Sequence, residues 1–276
     1  MKIIDGKALS ATLRAELKIK IDKMIRKPGL AVVIVGEDPA SQIYVRNKIK
    51  ACEELGIRSY SYHLPEDSQQ NQVEALLDEL SADDNVDGIL LQLPLPKHLN
   101  QEEVMSHISV KKDVDGFSPE NLGLLALHKE KMVACTPLGV MKLLEHEGID
   151  LTGKRAVVIG RSDTVGKPMA MLLLNASATV TICHSKTKNL KEICQKADIL
   201  IAAIGKAKFI TEDMVKEDAV VVDIGMNRDE NGKLCGDVDF ENVKEKTSYI
   251  TPVPGGVGPM TITMLMYNTY LTASKE

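Results

Sequence analysis

Residues 154–176 read KRAVVIGRSDTVGKPMAMLLLNA: a short apolar strand, a loop that runs from Gly160 to Gly166, and an apolar helix. A strand-length apolar run followed directly by a helical pattern is typical of a parallel β-α unit. Such a loop commonly binds nucleotide phosphates, because its glycines permit a tight turn and the helix N-terminus attracts an anion. A strand–helix turn that binds nothing is the alternative interpretation.

The loop departs from the G-x-G-x-x-G fingerprint of Rossmann dinucleotide-binding domains. Ser162 stands where the second glycine is expected, and Gly166 comes one residue late. The chain that follows nevertheless continues the strand–helix alternation that the fingerprint requires. Three runs in it are strand-like, at residues 179–184, 198–205 and 219–225. One run, at residues 190–197, is helix-like. We therefore predict a Rossmann-like, nucleotide-binding domain over residues 138–259.

The end of the second strand of this domain indicates which nucleotide binds. NAD enzymes commonly carry Asp or Glu there, where it accepts a hydrogen bond from the ribose 2′-hydroxyl. Here the chain reads CHSKTK (183–188), without a carboxylate. Arg161, Ser185 and Lys186 could instead donate hydrogen bonds to a 2′-phosphate. The pattern favours NADP over NAD, and the alternative is a solvated basic loop.

The first half of the chain predicts another α/β domain. Strand-like runs alternate there with helical patterns, which indicates a parallel sheet covered by helices. The strand-like runs are LAVVIV (30–35), RSYSYHL (58–64) and VDGILLQLPLP (86–96). We expect this domain to span residues 1–137, with a C-terminal helix over residues 260–276 packing back on it. The chain is then an α/β protein of two domains with a cleft between them.

The predicted helix after the first of these strands contains SQIYVRNKIKAC (41–52), in which Tyr44 and Lys48 stand four residues apart. Side chains at positions i and i+4 share one face of a helix, so these two could point into one pocket. By spacing alone, an exposed lysine beside a half-buried tyrosine is the more ordinary interpretation.

Polar residues also mark the end of the predicted strand at 86–96. Gln92 is the one polar side chain in ILLQLPLP, and a buried amide needs partners, either backbone groups or a substrate. Asp113 and Asp115 follow in KKDVDGF (111–117). Ligands bind beyond the carboxyl ends of strands in open α/β sheets. For either aspartate the alternative is a turn-forming role, which we expect one of them to have.

The segment TPVPGGVGPMT (251–261) contains three prolines and three glycines within eleven residues. Because proline fixes φ and glycine allows close backbone approach, we expect neither a helix nor an interior strand here. The apolar valines and methionine distinguish it from a flexible Gly/Ser linker. We predict a rigid, shaped loop at the domain junction, facing the cleft.

Composition excludes several classes of protein. A net charge of −5, without a long basic run, argues against nucleic acid as the main partner. No run of 18 apolar residues could span a membrane, and the N-terminal sequence resembles neither a secretory signal nor a transit peptide, which suggests the cytoplasm. The five cysteines form no CxxC pair and the six histidines are scattered, so we expect no disulfide framework and no metal site.

Taken together and in this order, YVRNK (44–48), LLQLPLP (90–96), KDVDGF (112–117), GRSDTVGKP (160–168) and TPVPGGVGPMT (251–261) resemble one family. It is the bifunctional methylenetetrahydrofolate dehydrogenase/methenyltetrahydrofolate cyclohydrolase family, and the resemblance runs from about residue 3 to residue 270. The unusual glycine loop is that family's own variant. The resemblance implies NADP-dependent oxidation of 5,10-methylenetetrahydrofolate, followed by hydrolysis to 10-formyltetrahydrofolate. It also implies a cytoplasmic homodimer that serves one-carbon metabolism and purine biosynthesis.

The same resemblance implies roles for individual residues. Water attack and ring opening would depend on Lys48, with Gln92 hydrogen-bonded to it. Tyr44 would stack on the aminobenzoate portion of the folate, and Asp115 would anchor the pterin. NADP would be held by Gly160, Arg161, Ser162, Ser185 and the backbone near Met226. Pro254 and Gly255 would line the cleft that receives the folate and the nicotinamide.

Four other interpretations can be weighed on the sequence. Short-chain dehydrogenases also carry Tyr-x-x-x-Lys, but downstream of their glycine loop, whereas YVRNK precedes this loop by more than 100 residues. A shikimate-dehydrogenase-type enzyme would share the domain order but would not explain residues 251–261. A dehydrogenase-only member, or a non-catalytic nucleotide-binding protein, is disfavoured because Lys48, Gln92 and Asp115 are all present.

Overall fold

The structure, a computed structural model, describes residues 1–274. The helices in chain order are α1 (Gly6–Asp22), α2 (Pro39–Leu55), α3 (Gln70–Ala82), α4 (Gln101–Ser106), α5 (Pro119–Ala126), α6 (Cys135–His146), α7 (Gly166–Asn175), α8 (Leu190–Cys194), α9 (Phe240–Val243) and α10 (Val257–Ala273). The strands are β1 (Lys2–Ile3), β2 (Gly29–Val35), β3 (Arg58–Leu64), β4 (Gly88–Leu91), β5 (Arg155–Ile159), β6 (Thr179–Cys183), β7 (Ile199–Ala202), β8 (Ala219–Asp223), β9 (Asn227–Arg228), β10 (Leu234–Cys235) and β11 (Thr247–Ile250).

The chain divides into two compact units, each built on a parallel sheet. The three-stranded unit comprises residues 12–124, residues 130–135 and the chain from Ile262 onward. The six-stranded unit comprises residues 1–11, 125–129 and 136–261. Two α/β units with parallel sheets confirm the predicted fold class. Among the described residues, none of the helices has both the length and the apolarity needed to cross a bilayer.

In the three-stranded unit, β2 lies between β3 and β4 and pairs in parallel with both. All seven residues of β2 are buried, as expected for a central parallel strand covered on both faces. One face of the sheet forms a core with α3 and α4, and α2 packs on β2 and β3. Strand β4 ends at Leu91, earlier than predicted, because Pro94 and Pro96 lack the N–H group that a continuing strand needs.

In the six-stranded unit, the strand order is β1-β11-β8-β7-β5-β6, and every neighbouring pair is parallel. Strands β6 and β7 lie on opposite sides of β5, so the strand order reverses at the carboxyl end of β5. In doubly wound sheets, ligands bind at such a reversal point. The loop from Gly160 to Gly166 starts there, directly after β5.

The N-terminal residues differ from the predicted domain limits. Strand β1 pairs with β11, so residues 1–11 belong to the six-stranded unit, whereas the predicted limits group them with residues 12–137. Backbone pairing between residues almost 250 positions apart leaves no local pattern in the sequence. The predicted last helix began at residue 260, whereas α10 begins at Val257. Residues 275 and 276, which that prediction included, lie outside the described residues.

Candidate active site

Lys48 and Gln92 are in direct contact in the three-stranded unit. The Lys48 ammonium donates a hydrogen bond of 2.9 Å to Gln92 Oε1, and the Gln92 amide donates one of 2.6 Å to the Leu93 carbonyl. Gln92 follows β4 directly, and its own N–H bonds to the Val33 carbonyl of β2 at 2.8 Å. The Gln92 side chain is therefore fixed by backbone while its oxygen orients the lysine.

Helix α2 presents Tyr44 and Lys48 on one face. Asp38 caps the helix by accepting a hydrogen bond of 2.8 Å from the Ser41 N–H, and Pro39 occupies its first turn. Tyr44 is 37% exposed, and burial of the rest of the ring raises the pKa of its hydroxyl. A partly exposed ring one turn before the lysine is available to stack against a flat ligand.

The loop after β4 assigns different roles to the two aspartates of KDVDGF. Asp113 is buried, and its carboxylate accepts hydrogen bonds from the backbone N–H groups of Gly116, Phe117 and Ser118. It also accepts one of 2.9 Å from the Asn121 amide. Asp113 therefore forms the turn, as we expected of one of the pair. The Asp115 carboxyl is left free of this turn-forming task.

Asp115 lies close to Lys48 and is only partly accessible to solvent. Desolvation raises the pKa of its carboxyl to about 6, although the Lys48 ammonium acts in the opposite direction. The Asp113 carboxylate adds to the increase, and a hydrogen bond with Cys135 reduces it. The structure thus places Lys48, Gln92 and Asp115 together, with Tyr44 one helical turn away.

A cavity of about 370 Å³ lies at the carboxyl edge of the same sheet. It is lined by residues 35–38, by Glu66 and by Pro94, Leu95 and Pro96. Tyr44, Lys48, Gln92 and Asp115 do not line this cavity. It therefore lies beside the predicted site residues, at the sheet edge where Gln92 also lies.

The glycine loop of the six-stranded unit needs its glycines. Gly160 has φ of +129°, and a Cβ there would lie 2.2 Å from the Ala203 carbonyl oxygen. A Cβ at Gly166 would lie 2.4 Å from the Gly160 carbonyl oxygen. Ser162 Oγ accepts hydrogen bonds of 3.2 Å from the N–H groups of Val165 and Gly166, at the start of α7. Ser162 therefore shapes the turn, and its hydroxyl proton remains available to a ligand.

The predicted 2′-phosphate residues lie on neighbouring exposed loops. Arg161, Ser185 and Lys186 are all exposed. The Gly160 N–H donates a hydrogen bond of 2.9 Å to the Cys183 carbonyl, which brings the glycine loop beside the end of β6. The structure thus supports the arrangement that an adenosine 2′-phosphate requires: nearby cationic and hydroxyl donors with no carboxylate at the strand end.

The segment after β11 is a turn that leads into a helix. Gly255 has φ of +107°, Pro254 is exposed, and the Gly255 carbonyl accepts a hydrogen bond of 2.9 Å from the Lys7 N–H. The expectation that residues 251–261 form no helix is wrong from Val257 onward, where α10 begins. Pro259 falls in the first helical turn, where a missing N–H costs nothing.

Two buried aspartates at the carboxyl edge of the six-stranded sheet were missed on the sequence. Asp223 accepts hydrogen bonds from three backbone N–H groups, of Gly225, Asp237 and Val238. Asp237 accepts from those of Ile204, Gly205 and Lys206, and from the Asn227 amide next to Met226. Burial raises the pKa of Asp223 to about 7, against the effect of its N–H donors. The signal was available, since Asp223 ends an apolar run as Gln92 does.

Met226 is 46% exposed, beside the loops that these aspartates hold. The Asp223 N–H donates a hydrogen bond of 2.8 Å to Thr251 Oγ1, so the same network reaches the turn that contains Pro254 and Gly255. Within residues 1–274, no group of three or more His, Cys, Asp or Glu side chains is placed to hold a metal ion.

The chain matches two sequence models of a single family. Residues 4–115 match the catalytic domain of tetrahydrofolate dehydrogenase/cyclohydrolase, and residues 134–276 match its NAD(P)-binding domain. Together these matches cover most of the chain, including every strand of the two parallel sheets except β1.

Individual relatives agree with this match. Bifunctional protein FolD of Campylobacter concisus is 58% identical over 279 residues, covering 100% of this chain and 99% of that protein. The crystal structure of FolD, a methylenetetrahydrofolate dehydrogenase/cyclohydrolase, from Campylobacter jejuni is 55% identical with a TM-score of 0.97, covering 100% and 99% of the two chains. The Trypanosoma brucei dehydrogenase-cyclohydrolase, complexed with NADP and an inhibitor, is 37% identical with a TM-score of 0.94, covering 99% and 97%. As its motifs predicted, the chain belongs to the bifunctional tetrahydrofolate dehydrogenase/cyclohydrolase family.

Proposed function

We propose that this enzyme oxidises 5,10-methylenetetrahydrofolate with NADP and hydrolyses the 5,10-methenyl product to 10-formyltetrahydrofolate. The observation that carries the proposal is the contact between Lys48 and Gln92, with Asp115 beside them, at the carboxyl edge of the three-stranded sheet. Family membership supplies the substrate class, and the polar groups at this edge match what a folate presents.

On the folate, each of these side chains has a distinct task. The pterin carries ring N–H and amino groups, and a partly buried carboxylate such as Asp115 can accept hydrogen bonds from them. The exposed face of Tyr44 offers a ring on which the aminobenzoate can stack. Because both groups are fixed to regular elements or tight turns, the one-carbon bridge would be held in one position. Residues 12–137 and the last helix would then form the folate-binding, catalytic part of the enzyme.

Lys48 performs the hydrolytic step in this proposal. Water must attack the methenyl carbon, and a proton must then reach the ring nitrogen that leaves. The Lys48 ammonium is held by Gln92 Oε1, so that one of its N–H groups has a fixed direction. Its remaining N–H groups can orient the water and deliver the proton to that nitrogen. Of the two protons that the water loses, one replaces the proton that Lys48 delivers and the other is released to solvent. Gln92 is a positioning residue here, since it acts through Lys48.

The residues of the six-stranded unit fit NADP. The loop after β5 is a tight turn packed against its own backbone, because a Cβ at Gly160 or Gly166 would meet a carbonyl oxygen within 2.5 Å. It leads directly into the N-terminus of α7, where a pyrophosphate would bind. Arg161, Ser162 and Ser185 would hold the phosphates, and backbone near Met226 together with Pro254 and Gly255 would border the nicotinamide. Bound NADP supplies the acceptor for the hydride of the one-carbon bridge. The missing carboxylate after β6 favours NADP over NAD.

The cellular setting is part of the same proposal. A cytoplasmic enzyme that makes 10-formyltetrahydrofolate would provide one-carbon units for purine biosynthesis. We also propose a homodimer formed through the six-stranded unit. Strand β6 stands at one end of that sheet, and Thr179, Thr181 and Ile182 on it are exposed. An exposed strand edge of this kind commonly pairs with another chain.

The purified protein should be assayed with 5,10-methylenetetrahydrofolate in parallel with NADP and with NAD. Reduced nicotinamide and methenyl absorbance are followed together. NADPH formation with little methenyl accumulating, beyond the uncatalysed hydrolysis rate, supports both activities and the cofactor. Accumulating methenyl would instead show a dehydrogenase-only enzyme. Absence of reduced nicotinamide with either cofactor would refute the proposal in favour of a non-catalytic nucleotide-binding protein.

A further inference from the structure

Asn268 is a buried amide in the apolar stretch MLMYNTYL (264–271) of helix α10. Its side chain is in the three-stranded unit, and the residue is 1% exposed. An amide buried without partners is strongly destabilising, so its partners indicate what the residue contributes.

The partners of Asn268 are two backbone carbonyls that are distant in sequence. Its Nδ2 donates hydrogen bonds of 2.8 Å to the Val114 carbonyl and 3.0 Å to the Val133 carbonyl. The same nitrogen lies 3.6 Å from Cys135 Sγ. Both hydrogens of one amide group therefore tie two separate chain segments to one point of α10.

Both of these segments determine where the Asp115 carboxyl lies. Val114 immediately precedes Asp115. The 133–135 segment supplies Cys135, whose thiol donates a hydrogen bond of 3.3 Å to the Val114 carbonyl and also lowers the pKa of the Asp115 carboxyl. The segments also pack tightly, since a Cβ at Gly116 would lie 2.6 Å from the Val133 carbonyl carbon. Without the Asn268 donors, the Val133 carbonyl would lose this hydrogen bond and, among the described residues, the Val114 carbonyl would keep only the Cys135 thiol, at 3.3 Å. The Asp115 turn would then lose its fixed distance from Lys48.

We propose that Asn268 is a positioning residue for folate binding, which holds the Asp115 turn in place from the C-terminal helix through the carbonyls of Val114 and Val133. The inference rests on the proposed role of Asp115 in anchoring the pterin. Asn268 does not reach the ligand in this account. Its effect is on the apparent affinity for folate, and not on that for NADP.

The neighbouring residue provides a matched control. Thr269 is fully buried on the same helix, and its hydroxyl bonds to the Leu265 carbonyl one turn earlier, within α10. Thr269→Val thus removes a buried polar group of the same helix without touching the Asp115 turn. Asn268→Leu removes both donors at similar volume, and Asn268→Ser is a second variant that keeps a polar group at this buried position.

The test is dehydrogenase kinetics of full-length Asn268→Leu, Asn268→Ser, Thr269→Val, Asp115→Asn and Asp115→Asn/Asn268→Leu, with folding checked by circular dichroism. We expect both Asn268 variants to raise KM for methylenetetrahydrofolate, by about tenfold for Leu, the effect of about one lost hydrogen bond. KM for NADP should stay within about twofold of wild type, and Thr269→Val should match wild type. In the Asp115→Asn background, Asn268→Leu should add little, because both changes act through one carboxyl.

A wild-type folate KM in both Asn268 variants would overturn the inference while leaving the role of Asp115 intact. So would a full tenfold effect of Asn268→Leu on top of Asp115→Asn. An unchanged folate KM in Asp115→Asn itself would instead refute the proposed function of Asp115. The two failures are therefore distinguished within one set of variants.

Discussion

At the scale of single residues, the titration of Asp115 gives the sharpest prediction for activity. Its raised pKa of about 6 means that the carboxyl is ionised near neutral pH and becomes protonated as the pH falls through 6. The protonated form accepts hydrogen bonds from the pterin less well. We expect KM for methylenetetrahydrofolate to rise about tenfold per pH unit below about 6. Asp115→Asn should remove this acid limb, whereas a constant KM in the wild type down to about pH 5 would contradict it.

The same carboxyl carries a prediction for stability. A pKa raised by folding means that the native state holds the proton more tightly than the unfolded chain. The cost of ionisation is absent below about pH 4, grows as the pH rises, and is complete above the folded pKa of about 6. Asp115→Asn should therefore raise the free energy of unfolding by up to about 3 kcal/mol near pH 8, and by nothing near pH 4. Urea unfolding at both pH values checks this, and equal effects at the two would contradict it.

Some residues of the candidate site were predictable from the sequence, and others were not. Gln92 was found because a polar residue ended an apolar run, and the contact with Lys48 followed from the resemblance. The same reasoning applied to Asp223 and Asn268 would have found them as well. The residue pattern alone did not distinguish Asp113 from Asp115, and only the family resemblance selected Asp115. The distinction depends on which carboxylate receives the N–H groups of residues 116–118.

At the scale of the elements, the turn between β5 and α7 should be intolerant of a side chain. In Gly160→Ala, the added Cβ would meet the Ala203 carbonyl oxygen, and φ of +129° is strained for alanine. We expect the free energy of unfolding to fall by about 2–4 kcal/mol. We also expect NADP binding to fall below detection. Gly123→Ala is the control, because it lies in α5 with open space around it and should add about 0.5–1 kcal/mol. Urea unfolding and fluorescence titration with NADPH measure the two effects, and tight NADPH binding by Gly160→Ala would contradict the account.

Elements with a strong local pattern were predictable, and those that depend on distant partners were not. Strand β3 has the bounds that its aromatic alternation indicated, and β2 begins one residue earlier than its apolar run. Strands β1 and β11 are short; β1 pairs with β11, and β11 also pairs with β8. A local sequence pattern does not indicate such pairing between distant segments. Helix α5 is not among the elements that the sequence predicted, and Asp113 orders the turn that precedes it.

At the scale of the whole molecule, the proposed homodimer can be tested on the exposed edge of the six-stranded sheet. The chain has a mass of 30.2 kDa, so a dimer should sediment at roughly 60 kDa. Ile182→Lys places a charge on the exposed strand β6 and should shift the equilibrium to monomer. Ile25→Lys, at a fully exposed position of the chain outside that unit, is the control and should remain dimeric. A wild-type monomer, or a dimer unaffected by Ile182→Lys, would contradict this interface.

The central claim is that hydrolysis depends on Lys48 while oxidation does not require its chemistry. The measurement is methenyl accumulation during NADP-dependent oxidation by Lys48→Met, with Lys50→Met on the exposed face of α2 as the control. We predict that Lys48→Met still forms NADPH while methenyl accumulates, because cyclohydrolase activity falls by at least about 100-fold. Lys50→Met should behave like the wild type. Hydrolysis by Lys48→Met at the wild-type rate would contradict the account.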